Sequence, residues 1–165
     1  MGRLSANDII RLLDLVPLPG EGGFYRVTWS SSHTVREIRG RSCGSAIFYL
    51  LTNDPAGFSA FHVLDTDEIY HFYTGDPVEL HVLHGDERHE TILLGPGLER
   101  GETPQAVVPG GAVQGSRLKP GGEYALLGTT MAPSFAQEEF RLVSRAELTS
   151  RFPRERGIIE LLTRE

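Results

Sequence analysis

The chain has 165 residues, 39% of them hydrophobic, enough for one full core and too few for two comfortable domains, so a single domain over residues 1–165 is expected. Its 16 basic and 22 acidic side chains leave a net charge of -6, which offers no general attraction to a nucleic-acid backbone or an anionic membrane, and neither is expected as a partner. One cysteine, Cys43, excludes an intrachain disulfide, and no segment has the form of a signal peptide or membrane span, so a cytoplasmic location is expected.

The first segment reads as a helix. Ile9, Ile10, Leu12, Leu13 and Val16 recur at helical spacing, Ser5 can cap the start, and Pro17 and Pro19 stop it. Such an amphipathic helix should lie across a sheet. From Phe24 the period changes to two. The stretches FYRVTWS, SAIFYLLT, FSAFHVL, EIYHFYTG, VELHVLH, HETILLG, QAVVP, AVQGSRL, EYALLGTTM and EEFRLV all read as strands. About ten short strands between Gly- and Pro-rich turns argue for a mainly β fold, a sandwich or barrel. The tail turns helical again: Ser144 and Glu147 have capping-box spacing, and GIIELLT carries a short apolar face after Pro153 and Gly157.

Strand alternation assigns faces to the polar residues. Side chains two apart share a face, so Phe58, Ala60, His62 and Leu64 point one way and Ser59, Phe61 and Val63 the other. Likewise Glu68, Tyr70 and Phe72 share a face opposite Ile69, His71 and Tyr73. His62 and Glu68 can therefore face each other across a hairpin. His71 should look away from the pair.

The spacing from His62 through Glu68 to Gly75 resembles the first motif of the cupin superfamily, and PGGAVQ, Pro109 to Gln114, resembles the second. In cupins these motifs converge three histidines and a glutamate on a metal inside a small jelly-roll barrel, the double-stranded β-helix. Here Leu64 stands where the second histidine would be and Gln114 where the last would be. Imidazole, thiolate and carboxylate are the usual transition-metal donors. His62, Glu68 and Gln114 would hold a divalent ion only weakly, and no tightly bound cofactor is expected.

A more specific resemblance covers nearly the whole chain. GGFYRVTW, FHVLDTDEIYHFYTGDP, LGPGLERGETPQAVVPGG and GEYALLGTTMAPSF, in that order, resemble an RmlC-like cupin family mostly of unknown function. The resemblance implies a cupin barrel with an N-terminal helix and C-terminal helical segments. It also implies a homodimer, in keeping with protection of an edge strand, and kinship with sugar-nucleotide epimerases that work by proton transfer without metal. The chain departs from the family's pattern at Val63, where an arginine is usual, at Tyr70 and Val113, where tryptophans are usual, and at Pro133 to Phe135, where PGF is usual. Val113 in place of an indole would enlarge the pocket.

These residues favour acid/base chemistry. Histidine titrates near neutrality and suits a base, a carboxylate can orient it or carry the proton itself, and a tyrosine can protonate the far side of a carbanion. His62, Glu68 and Tyr70 are thus the expected catalytic residues, with Gln114, Val113, Phe72 and Arg26 contacting a small-molecule substrate. The expected activity is a metal-independent isomerase or epimerase reaction on a sugar nucleotide or a small carbonyl or acid metabolite, dehydration and cyclisation being related outcomes. The alternatives are a noncatalytic metabolite-binding cupin and a weak-metal oxygenase or lyase. Arg41 and Arg117 are further anion-contact candidates. His81, His84 and His89 around Gly85 and Asp86 read as a solvated hairpin.

Overall fold

The computed structural model describes residues 2–36 and 40–164. In chain order it contains helix α1 (Ala6–Leu12), strands β1 (Val16–Pro17), β2 (Phe24–Ser30), β3 (Thr34–Val35), β4 (Arg41–Ser42), β5 (Ser45–Thr52), β6 (Ser59–Val63) and β7 (Glu68–Gly75). There follow β8 (Val78–Leu83), β9 (His89–Leu94), β10 (Gln105–Val108), β11 (Val113–Leu118), β12 (Tyr124–Met131), β13 (Arg141–Leu142), and helices α2 (Arg145–Arg151) and α3 (Arg156–Leu161). A six-stranded sheet in the order β1-β2-β5-β12-β7-β10 faces a five-stranded sheet in the order β13-β6-β11-β8-β9. All of their strand pairings are antiparallel, and β3 and β4 form a small separate hairpin. This is the jelly-roll sandwich of the cupin type, with helices at both ends of the chain.

The expected strands are present almost at their expected limits. SAIFYLLT and EIYHFYTG are β5 and β7 in full. The exception is EEFRLV, of which only Arg141 and Leu142 pair, the preceding Gln137–Glu139 forming a 3-10 turn. The N-terminal helix is shorter than its apolar pattern. Ser5 caps it through the Asp8 backbone while Asp8 reaches back to the cap, but it stops at Leu12 and Val16 joins β1 instead. Pro17 cannot follow a continuing helix, so the preceding residue is pushed to extended backbone.

Three apolar clusters hold the layers. Leu51, Tyr70, Leu80, Val82 and Leu127 fill the space between the sheets. Ile9 and Leu15 pack with Leu50 and Tyr124 on the outer face of the six-stranded sheet. Phe61, Val113, Leu148, Phe152, Ile159 and Leu162 join the five-stranded sheet to the C-terminal helices. That last contact is also hydrogen-bonded, since the Phe61 amide donates to the Leu162 carbonyl at 2.7 Å and the Val143 amide to the Phe61 carbonyl at 2.9 Å.

Strict alternation fails at one place that matters. Between β6 and β11 the register shifts from Gln114 opposite His62 to Ser116 opposite Ser59, so β6 carries one extra residue, a bulge. Ser59 and His62, three apart, consequently both aim into the barrel, while Phe61 turns out under the helical cap. A Cβ on Gly115, opposite the bulge, would sit 2.9 Å from the Phe61 ring, so the crowding requires glycine there.

Phe61 is fully buried, and replacing it by alanine should cost about 3 to 5 kcal/mol. The expected outcome for F61A is a large drop in the urea midpoint with an unchanged slope; a shift no larger than that of a surface variant would show that the cap does not hold the sheet.

Candidate functional site

A cavity of about 580 Å³ opens between the sheets, lined by residues of β2, β5, β6, β7 and β12 and by the segment that follows β12. His62 and Glu68 both line it, as does Leu64. Each comes from an inward position of its strand, which is why the two polar residues are brought together although they belong to different sheets.

His62 is 1% exposed. Its Nδ1 lies 2.8 Å from the Ala60 carbonyl oxygen. A carbonyl only accepts, so Nδ1 carries the proton and Nε2 is left as the basic nitrogen. Nε2 makes no hydrogen bond among the described residues. The ring is packed against Phe140, centroid to centroid 5.3 Å.

Glu68 is also buried, and its carboxyl accepts from Gln114 Nε2 at 2.8 Å. The hydroxyls of Thr129 and Tyr70 lie against the same carboxyl. Desolvation pushes the Glu68 pKa above the usual carboxylate range; His62 pulls it back, and the nearby Glu21 charge pushes it up again. Burial, followed by the Glu68 charge, drives the Tyr70 hydroxyl well above its ordinary value.

The remaining expected site residues are placed differently. Tyr70 and Gln114 contact Glu68 from behind and do not line the cavity. Val113 lies in the cluster beneath the C-terminal helices, and Phe72 packs against the core between the sheets; neither borders the cavity. The alternation that brings Tyr25 and Val27 inward sends Arg26 to the outer face of the six-stranded sheet, where its guanidinium lies 5.5 Å from the Phe48 ring. Arg41 sits beside the segment after β12, donating to the Ser134 carbonyl, Glu139 and Thr66. Arg117 is paired with Glu79 at 2.9 Å. His71 faces away from Glu68, 3.1 Å from Thr130 Oγ1, as expected.

The histidine-rich hairpin is not simply solvated. His81 is 6% exposed, its Nδ1 is 3.1 Å from His89 Nε2, and His89 Nδ1 is 2.7 Å from Glu155 at the start of α3. Burial and then the His89 charge lower the His81 pKa to about 4. The residue that strand patterning could not foresee was Glu155, contributed by the distant cap.

Glu21 was also missed. It lines the cavity, and its Oε1 accepts from Tyr49 at 3.0 Å and from Ser59 at 2.8 Å. The available signal was its setting: Gly22 and Gly23 have φ of 106° and 69°, a backbone open chiefly to glycine. A Cβ on Gly22 would lie 2.3 Å from the Phe58 carbonyl oxygen. This tight turn presents the one acidic residue between Gly20 and Gly22 to the barrel.

Residues 7–143 match the family described as Cupin superfamily (DUF985). A solved structure of a hypothetical protein from Leishmania major is 32% identical, with TM-score 0.89, over 98% of this chain and 100% of its own. A crystal structure of a Shewanella oneidensis protein is 31% identical, with TM-score 0.90, over 98% and 99%. Oxalate decarboxylase from Bacillus subtilis shares the fold at 14% identity and TM-score 0.55, over 98% of this chain and 40% of its own. No curated protein matches the chain.

The residues present do not suit the metal centre that the cupin fold implies. Leu64 supplies an apolar wall where an imidazole would be needed, Gln114 turns its amide nitrogen to Glu68, and among the described residues no three His, Cys, Asp or Glu side chains are grouped to hold an ion. A catalytic zinc-type centre needs about three such ligands.

A raised carboxylate pKa has a sign for stability. The folded state binds the Glu68 proton more tightly than the unfolded state, so its contribution is fully present below the ordinary value of 4.5 and is lost as pH rises through the folded-state pKa. E68Q keeps an acceptor for Gln114 and removes the ionisation. Its melting temperature relative to the parent should climb as pH increases from 4.5 and then level off; a pH-independent difference would contradict burial as the dominant influence on this carboxyl.

Proposed function

The chain belongs to the DUF985 family of the cupin superfamily, and from that premise we propose that it is a metal-independent acid/base enzyme of the isomerase or epimerase type, acting on a small carbonyl compound held in the barrel. The observation that carries this reading is the pairing, in one cavity, of a histidine whose tautomer is fixed with a carboxyl group biased toward its protonated form.

The chemistry follows from those two states. Nε2 of His62 takes a proton from the carbon next to the substrate carbonyl; the C–H electron pair moves into the new C=C bond, and the carbonyl oxygen becomes an enolate oxygen. The protonated Glu68 carboxyl donates a hydrogen bond to that developing negative charge, the role for which a neutral acid is better suited than a carboxylate. Protonation of the same carbon from solvent on the opposite face, with the His62 proton lost to solvent, completes an epimerisation; return of the proton from Nε2 to the former carbonyl carbon, as the neighbouring hydroxyl gives up its proton and becomes the new carbonyl, completes an isomerisation. Gln114, Tyr70 and Thr129 keep the Glu68 side chain from rotating away, and Phe140 against the imidazole limits water at the base. Solvent-exposed apolar side chains on the strands, among them Trp29, Tyr73 and Val107, support association as a homodimer.

The test is solvent exchange. With the protein in deuterium oxide and a panel of hydroxy-carbonyl and amino-carbonyl metabolites, the parent protein should place deuterium on the carbon next to one ligand's carbonyl, read by mass and NMR. H62A should fold normally, bind the same ligand and reduce exchange by about 100-fold or more, the usual contribution of a general base. Saturable binding without exchange would identify a noncatalytic binding protein. Activity that vanishes with chelator and returns with one ion would identify a weak-metal oxygenase or lyase.

A further inference from the structure

The charges around the cavity are one-sided. Among the described residues that line it there is no lysine or arginine, whereas Glu21 and Glu68 both do so. The arginines that sequence reading offered to an anionic substrate are engaged elsewhere, Arg26 over Phe48, Arg41 on Ser134 and Glu139, and Arg117 on Glu79. Arg164 donates to the backbone carbonyl of Glu21 at 3.0 Å, and to the carbonyls of Ala56 and Phe58, rather than to the Glu21 carboxylate.

Glu21 is built as an acceptor. Two hydroxyls, Tyr49 and Ser59, donate to Oε1 alone, and Oε2 makes no hydrogen bond among the described residues. A second polar atom bordering the same space and making no hydrogen bond among the described residues is His62 Nε2, on a side chain 1% exposed. Aromatic rings complete the walls, with Tyr25, Tyr49, Phe135 and Phe140 all lining the cavity. A carboxylate with one open oxygen, set among aromatic faces and lacking a protein cation, is the recognition chemistry of an ammonium group. A phosphate or carboxylate brought to the same place would meet the Glu21 carboxylate and no lysine or arginine among the described lining residues.

We propose that the barrel cavity takes a small molecule bearing a protonated amine and no phosphate or carboxylate, and that Glu21 is the residue that receives the ammonium. The proposal rests on the reading of this cavity as the substrate site, and it replaces the expected sugar nucleotide with an amine-bearing carbonyl compound. Under it, the ammonium anchors one end of the substrate at Glu21 while His62 and Glu68 address the carbon and oxygen of its carbonyl end. Glu21 then acts in specificity rather than in proton transfer.

The experiment uses four probes of one shape and different charge: benzylamine, benzyl alcohol, benzoate and phenyl phosphate. Each is titrated into the full-length protein at millimolar concentration and followed by calorimetry and by the His62 imidazole resonance. Benzylamine should bind at least about tenfold more tightly than benzyl alcohol, with benzoate and phenyl phosphate weaker than the alcohol. E21Q keeps an acceptor for Tyr49 and Ser59 and should erase the preference for the amine over the alcohol, while E21D, which keeps the charge, should retain part of it. Equal binding of amine and alcohol, tighter binding of either anion, an amine preference that survives in E21Q, or no amine binding at all would each overturn the proposal. Binding selectivity is read without turnover, so amine selectivity without solvent exchange would sink the acid/base function and leave this inference standing, and exchange with an anionic substrate would do the reverse.

Discussion

Two carboxyl groups join the two sheets of the barrel from within, and the site depends on that arrangement. Glu68 rises from β7 in the six-stranded sheet and is held by Gln114 of β11 in the five-stranded sheet. Glu21 sits in the loop before β2 and accepts from Tyr49 of β5 and Ser59 of β6, one donor from each sheet. Buried acids are costly unless their oxygens are satisfied, and satisfied networks fix one geometry where an apolar core would tolerate several. Here the donors leave each acid with a defined orientation and leave the cavity between them.

The same arrangement gives two residues of one type different surroundings. Glu68 is the more deeply buried acid, and its burial in the neighbourhood of Glu21 favours the protonated carboxyl. Glu21 receives two hydroxyl donors on one oxygen, a pattern that satisfies a carboxylate. A carboxyl biased toward its protonated form can support an enolate, and a carboxyl facing aromatic walls with one open oxygen can hold a cation. Environment, more than residue type, sets the protonation bias of such an acid.

Much of this was legible in the chain. The alternation of EIYHFYTG put Glu68 inside and His71 outside, and the change of hydrophobic period at Phe24 marked where helix gives way to sheet. Alternation is a local rule, however, and the bulge in β6 broke it at the point where Ser59 had to join His62 inside the barrel. Tyr70 and Gln114 were recognised as inward residues, but period two says nothing of whether an inward side chain reaches the cavity or stops behind another residue. Val113 was misplaced because its partners, Leu148, Phe152 and Ile159, come from helices whose docking surface no strand pattern reveals. Glu155 meeting His89 has the same origin.

The departures from the general cupin pattern form a consistent set. Leu64 in place of a histidine makes part of the cavity wall apolar, and Gln114 in place of another gives its amide to Glu68 instead of a ligand sphere. Removing two imidazoles from a metal site would ordinarily strand the remaining carboxylate in a low-dielectric interior. The amide donor and two hydroxyls around Glu68 satisfy that carboxyl, and burial still raises its pKa. The same substitutions thus leave, where the cupin pattern would gather metal ligands, a carboxyl biased toward its protonated form and a histidine whose Nδ1 is tied to the Ala60 carbonyl.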